Sequence, residues 1–290
     1  VVAGHVRELS SGAVMGQLPY CQSRGRRGDT GSAPRGGSGC VSETMTTMLI
    51  TGFPAGMFQT NCYLVSADAS PDGPGGEAVI IDPGQDAAEQ VDKVCAQYGL
   101  TPVAVLLTHG HLDHTWNAAK VCETYGIPCY IHAADRPMLT DPGKGLGRAL
   151  GTMIGVMKFV EPEKVIEFTD GEEVELAGLR FVVDLAPGHT QGSVLLGIDV
   201  PGDDENPVRI CFAGDVLFQG SIGRTDLPGG DHQQLLDSIA AKLLPLPDDT
   251  VVLPGHGPQT TIGAERAANP FLAGIGGSGA SAPPKGRHGL

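Results

Sequence analysis

Between residues 48 and 272, apolar positions come in short blocks separated by glycine- and proline-rich turns, and in places spread into a helical stripe instead. Met48-Leu49-Ile50-Thr51 and Asn61-Cys62-Tyr63-Leu64-Val65 predict a pair of strands. Ala78-Val79-Ile80-Ile81 predicts a third, after the turn-rich stretch 71–76, and ends in Asp82-Pro83-Gly84. From Asp86 to Tyr98, the residues Val91, Val94, Cys95 and Tyr98 fall on one helical face, with Gly99 as the stop. Val103 to Leu107 reads as a buried strand. A second helix is expected from about Thr115, with Ala118, Val121, Cys122 and Tyr125 on one face and Gly126 at its end. Strand, helix, strand, helix predicts a layered α/β domain.

Cys129-Tyr130-Ile131 continues the pattern as a short strand and Ala133 to Leu139 as a short helix, followed by strands at 164–168, 172–176, 179–185, 193–198 and 208–213. Asp231 to Leu244 is amphipathic and stopped by Pro245, Val251-Val252-Leu253 predicts a last strand, and Ala264 to Ala268 a final short helix. Residues 141–160 have no clear period and read as a surface insertion bordering the active site. Residues 1–47, including Arg24-Gly25-Arg26-Arg27-Gly28, show neither period and are expected to form a disordered N-terminal extension, with Met45 or Met48 as a candidate start. The folded domain is placed at 48–272 and a disordered Gly/Pro/Ser-rich tail at 273–290.

Composition narrows the function classes. None of the 290 residues falls in an uninterrupted apolar run of 18, so no transmembrane helix and no membrane partner are expected. A formal net charge of −14 argues against a nucleic-acid partner, because phosphate binding needs clustered Lys and Arg. The seven cysteines are odd in number and contain no CxxC pair, which reads as free thiols of a reducing compartment. No signal peptide is visible, so a cytoplasmic location is expected.

The candidate chemistry sits at Thr108-His109-Gly110-His111-Leu112-Asp113-His114, directly after the 103–107 strand. Packed into one tight turn, His109, His111, Asp113 and His114 would repel or stay unsatisfied without a cation. Three further ligand-type residues follow strands in Gly-containing turns: His189 in Pro187-Gly188-His189-Thr190, Asp215 after Gly214, and His256 in Pro254-Gly255-His256-Gly257. His132 and His232 belong to no such motif and read as structural or surface residues. Imidazoles and carboxylates together suit Zn²⁺, Fe or Mn²⁺, and such an ion can lower the pKa of a bound water to about 7. A hydroxide made this way would attack a carbonyl, and the same charge would stabilise the oxyanion.

His109-x-His111-x-Asp113-His114 followed by His189, Asp215 and His256 resembles the ligand series of the metallo-β-lactamase superfamily over roughly 48–272. The resemblance implies an αββα four-layer sandwich with two divalent metal ions, Zn²⁺ foremost, at one edge. It implies one ion on His109, His111 and His189, the other on Asp113, His114 and His256, and Asp215 bridging both. Asp113 would also orient the nucleophile, and Asp82 would orient the cluster loop from behind. Ala213-Gly214-Asp215-Val216-Leu217-Phe218, Gly223-Arg224-Thr225-Asp226, Pro254 to Pro258 and Glu265-Arg266 with Asn269 to Leu272 are similar to short bacterial glyoxalase II-like hydrolases. Those enzymes act on small-molecule thioesters of the S-lactoylglutathione type, and Arg224 becomes a candidate for a substrate carboxylate. Only 34 residues follow His256, too few for the C-terminal glutathione-binding domain of longer glyoxalase II enzymes, which leaves the thiol portion open.

Four other activities use related sites. A persulfide dioxygenase would hold one iron through His109, His189 and Asp215; a lactonase would open a ring ester with the same nucleophile. A nucleic-acid processor conflicts with the acidic charge. β-Lactamase action is not expected, because the secreted forms with a Cys ligand carry it where Asp215 stands.

Overall fold

The computed structural model describes residues 6–8, 14–19, 47–69, 75–146, 158–201 and 206–275. The first sheet is laid down almost in chain order: β1 (Val6–Glu8), β2 (Val14–Pro19), β3 (Thr47–Ala55), β4 (Thr60–Ala69), β5 (Glu77–Ile81), β6 (Thr101–Leu106), β7 (Cys129–His132) and β8 (Val165–Phe168) are spatial neighbours in that order. β3, β4 and β5 pair antiparallel, while β5 to β8 run parallel. Parallel neighbours need crossovers, which α1 (Ala87–Tyr98) supplies between β5 and β6, and α2 (Leu112–Thr115) with α3 (Ala118–Tyr125) between β6 and β7.

The second sheet holds β9 (Glu173–Leu176), β10 (Leu179–Leu185), β11 (Val194–Pro201) and β12 (Pro207–Gly214), a separate ribbon of β13 (Leu217–Phe218) and β14 (Ser221–Ile222) intervening in the chain before β15 (Val251–Pro254) and β16 (Thr260–Thr261). Its order is β16-β15-β12-β11-β10-β9. α4 (His232–Ser238), extended by a π-helical turn over Ile239–Leu243, and α5 (Ile262–Ala268) cover its outer face.

Strand alternation decides which layer each side chain enters. Val79, Ile81, Ala104 and Leu106 meet Phe181, Leu196, Ile198 and Phe212 between the sheets. Their neighbours Leu64, Ile80 and Val105 point outward onto Val91, Cys95 and Val121 of α1 and α3. Cys211, Ala213 and Val252 point outward onto Leu235 and Ile239. Strands covered on both faces need apolar residues at every position, which is why 78–81 and 103–107 read as unbroken apolar runs. The result is the expected αββα sandwich.

Two local findings differ from the sequence expectation. β1 and β2 lie within the 1–47 segment expected to be disordered, and β2 pairs with β3 from Val14↔Gly52 to Pro19↔Thr47. Both strands are held by main-chain hydrogen bonds to their neighbours, which need no side-chain period to signal them. The second predicted helix, expected from about Thr115, begins at Ala118, and Trp116-Asn117 separates it from the short α2 ahead of it. Asn117 N–H donates to Pro83 O at 2.9 Å, and its Oδ1 accepts from Ala88 N at 3.1 Å. Asn117 therefore caps α1, whose own N-cap Asp86 makes no side-chain cap bond. Of the 141–160 insertion, 147–157 lies outside the described residues, as do 276–290 of the expected tail. The five cysteines described, Cys62, Cys95, Cys122, Cys129 and Cys211, are buried free thiols. No helix among the described residues is long and apolar enough to cross a membrane.

Candidate metal centre

β10 and β12 both run antiparallel to β11, and β15 runs parallel to β12, so these three strands end at one edge of the second sheet. The turns after them carry His189, Asp215 and His256. β5 and β6 run parallel and end at Asp82 and at the 108–114 loop. Val194 N–H donates to Thr108 O at 2.8 Å, and Asn61 N–H to Gly255 O at 2.7 Å, so main-chain bonds join the two sheets at this edge.

All seven predicted ligand residues converge there. His109, His111 and His189 form one group whose donor atoms lie within 4.8 Å of one another; Asp113, His114 and His256 form another, and His109, His114 and Asp215 a third. His109 Nε2 and His189 Nε2 face each other at 3.2 Å. Two nitrogen ligands of one tetrahedral ion at about 2.05 Å lie about 3.3 Å apart, so this spacing is the span of a cation. Asp215 reaches both sides, with Oδ1 at 3.4 Å from His114 Nε2 and Oδ2 at 3.7 Å from His189 Nε2 and 3.6 Å from His256 Nε2. His111 Nε2, His114 Nε2 and Asp215 Oδ1 are buried without a hydrogen-bond partner. Buried polar atoms left unsatisfied at one point are costly unless a cation takes them up, and this donor set fits a pair of divalent ions.

The far nitrogens of the rings are tied down. His114 Nδ1 donates to Asp82 Oδ2 at 2.9 Å, and His189 Nδ1 donates to Arg224 O at 2.7 Å, both acceptor-only partners, so in each ring Nε2 is the nitrogen left to face the centre. Thr108 donates to Asp82 from N at 2.8 Å and from Oγ1 at 2.6 Å, leaving its hydroxyl a lone pair for His109 Nδ1 at 3.1 Å. Asp82 itself has a left-handed backbone conformation (φ 50) that non-glycine residues rarely adopt. A Cβ on Gly255 would strike the Asp215 carboxylate and the His114 ring, which is why a glycine precedes His256.

The two groups differ in charge. Burial lowers the pKa of His109 well below the ordinary imidazole value, and the neighbouring imidazoles add to it; burial likewise takes His111 down to about 3. Burial also acts to lower His114, but the carboxylates of Asp113, Asp215 and Asp82 outweigh it and raise its pKa well above the ordinary value. His256 is raised in the same way, against burial, by Asp113 and Asp215. Burial would raise Asp113 and Asp215, yet His114 overrides it, aided by His256; Asp113 falls to about 2 and Asp215 lies well below the ordinary carboxylate range.

Arg224 makes two contacts within the chain. Its guanidinium is engaged by Asp226 through Nε at 2.7 Å and Nη2 at 2.8 Å, while its carbonyl orients His189. His132 stays local, accepting from Ala134 N at 3.3 Å, and is in none of the ligand groups. Other residues at the centre are not singled out as site residues by the sequence. Asn61 Nδ2 and Tyr63 Oη hold Pro254 O in the His256 turn, and Thr60 Oγ1 donates to Asp113 Oδ2 at 3.4 Å. Phe218 stands beside the His256 ring with centroids 6.4 Å apart. Gly145, in the predicted insertion, packs so closely on His111 that a Cβ there would lie 2.7 Å from Cδ2. Asp135 is buried behind the histidine turns.

Comparison with known proteins agrees with this geometry. The family model of the metallo-β-lactamase superfamily matches residues 55–256. A hydroxyacylglutathione hydrolase, GloC, of Haemophilus influenzae is 36% identical over 225 residues, covering 78% of this chain and 98% of that protein. Among solved structures, BLEG-1, described as a B3 metallo-β-lactamase, is 41% identical with a TM-score of 0.62, covering 77% of this chain and 99% of that one. TTHA1623 in a di-iron-bound form is 36% identical with a TM-score of 0.59, covering 76% and 99%. The matched span takes in all seven clustered His and Asp residues, and the chain is a metallo-hydrolase that belongs to the metallo-β-lactamase superfamily.

Proposed function

We propose that the chain hydrolyses the thioester of a hydroxyacyl-thiol conjugate of the S-lactoylglutathione type. The observation that carries the reading is the seven-residue centre, divided into two ligand groups that share Asp215, in a chain similar along its folded length to a hydroxyacylglutathione hydrolase. His109, His111 and His189 would hold one ion, and Asp113, His114 and His256 the other, with Zn²⁺ the first choice and Fe or Mn²⁺ served by the same donors. When bound, such ions lower the pKa of water and polarise a carbonyl oxygen.

The chain's own residues do the rest. Asp82, Thr108 and the Arg224 carbonyl fix three imidazoles so that no reorganisation is needed when charge develops. Asp113 is half-buried at the rim of the centre and directs Oδ2 to His256 Nε2 at 3.1 Å. Its other oxygen, Oδ1, would accept a hydrogen bond from the attacking water and hold it in line with the thioester carbon. A thiolate leaves without prior protonation, so no general acid is required. Arg224 could bind a substrate carboxylate only in exchange for Asp226.

Hydrolysis of S-lactoylglutathione by metal-loaded protein, followed as loss of thioester absorbance, tests the reading. Chelator-sensitive turnover supports it, whereas protein that retains two ions and leaves the thioester intact contradicts it. A second reading, hydrolysis of a β-lactam, has the 41% identical BLEG-1 structure as its support. A chromogenic cephalosporin separates the two.

A further inference from the structure

Asp135 lies between β7 and a 3₁₀ turn at Arg136–Leu139 and is only 1% exposed. A carboxylate this deep must be fully hydrogen-bonded to be tolerated. Its Oδ2 accepts from Gly110 N at 2.8 Å and from Thr190 Oγ1 at 2.6 Å, and its Oδ1 accepts from Gly192 N at 2.8 Å. Gly110 is the residue between His109 and His111, and Thr190 follows His189. The carboxylate therefore grips the main chain of both turns that supply the three-imidazole group. The fit is close on each side. A Cβ on Gly110 would lie 2.8 Å from the Asp135 carbonyl oxygen, and one on Gly192 would lie 2.6 Å from Asp135 Cγ. The His256 turn is held from a different place, by Asn61 Nδ2 and Tyr63 Oη on Pro254 O and by Asn61 Nδ2 on Gly257 O, and Asp135 makes no hydrogen bond to it.

We propose that Asp135 is the positioning residue of the three-imidazole subsite: by clamping the 109–111 turn to the 189–192 turn, it sets the distance between His109, His111 and His189 and with it that subsite's affinity for metal. The inference rests on the two-ion reading above. Asp82 orients His114 and, through Thr108, His109, whereas Asp135 never touches an imidazole and acts through the backbone that carries them. Substituting Asp135→Asn keeps the shape but turns an NH₂ group toward N–H or O–H donors, so one side of the clamp opens.

The test is stepwise titration of metal-free protein with Co²⁺, read by d–d absorption and by metal content per chain. In Asp135→Asn one binding step is expected to weaken about 10- to 100-fold, the range for loss of a group that orients ligands, while the other stays within about twofold. The loss should persist when combined with His256→Ala and vanish when combined with His111→Ala. Thr190→Val removes one of the three bonds and should weaken the same step by less, with Thr190→Ser restoring it, so the test survives poor folding of the Asp135 variant. Equal weakening of both steps, or unchanged titrations in Asp135→Asn and Thr190→Val, would overturn the proposal while leaving the two-ion reading intact. Wild-type protein that takes up no Co²⁺ would overturn both.

Discussion

At His109 and His111, burial keeps the imidazoles neutral; a few ångströms away, at His114 and His256, the carboxylates of Asp113 and Asp215 overcome the same burial and favour the protonated rings. His109 and His111 are thus ready for a cation without losing a proton. The carboxylate-rich subsite has to give up protons before it can bind one. Equal ligand number conceals this difference, and the two ions should differ in how they respond to pH, chelator and mutation.

The comparison breaks most completely at the residue the two subsites share. Asp215→Ala removes the carboxylate that spans them and is expected to cost metal retention and activity together, with turnover down by about 1,000-fold or more. Steady-state rates with metal analysis on the same sample check it; full activity would mean that Asp215 does not bridge.

A pH series sharpens the contrast. His114 and His256 have raised pKa values, so binding at their subsite releases protons even near neutrality, and its affinity should climb as pH rises through the neutral range. At the other subsite His111 titrates only at about 3, so protons at this ring do not compete across that range. Metal content measured after equilibration from pH 8 to pH 5 should therefore fall from two ions to one before the second is lost. Simultaneous loss would contradict the division.

Asp82→Ala frees the His114 ring and the Thr108 hydroxyl, and should lower metal affinity about 10- to 100-fold, as measured by competition with a chromophoric chelator. Arg224→Ala leaves the carbonyl that orients His189 in place and removes a guanidinium already engaged by Asp226; kcat/KM should change by less than about threefold. A large rise in KM would restore Arg224 as a substrate contact. His132→Ala, outside all ligand groups, should leave turnover unchanged.

Much of this centre is legible in the sequence because its chemistry is concentrated. His109, His111, Asp113 and His114 share one turn after an apolar strand, and no ordinary surface loop gathers such a set. His189, Asp215 and His256 each stand alone, and what marks them is a glycine beside them at a strand end, where the structure needs room for close approach. The residues that hold the ligands are harder to see. The Arg224 carbonyl is a main-chain atom and would be there with any side chain, so its residue type points to the guanidinium instead. Asp135 is a lone acid in His132-Ala133-Ala134-Asp135, and only the meeting of three distant turns gives it a task. The same holds for Asn117, which reads as part of a helix's first turn and instead precedes that helix while capping another one. Side-chain period reports burial, and it is silent about which main-chain groups are recruited across the fold.

The most direct measurement is thioester hydrolysis as metal is returned to the metal-free protein in measured equivalents. S-lactoylglutathione turnover should rise up to two ions per chain and be abolished by chelator. Full activity at one equivalent, or none with both ions bound, would contradict this expectation.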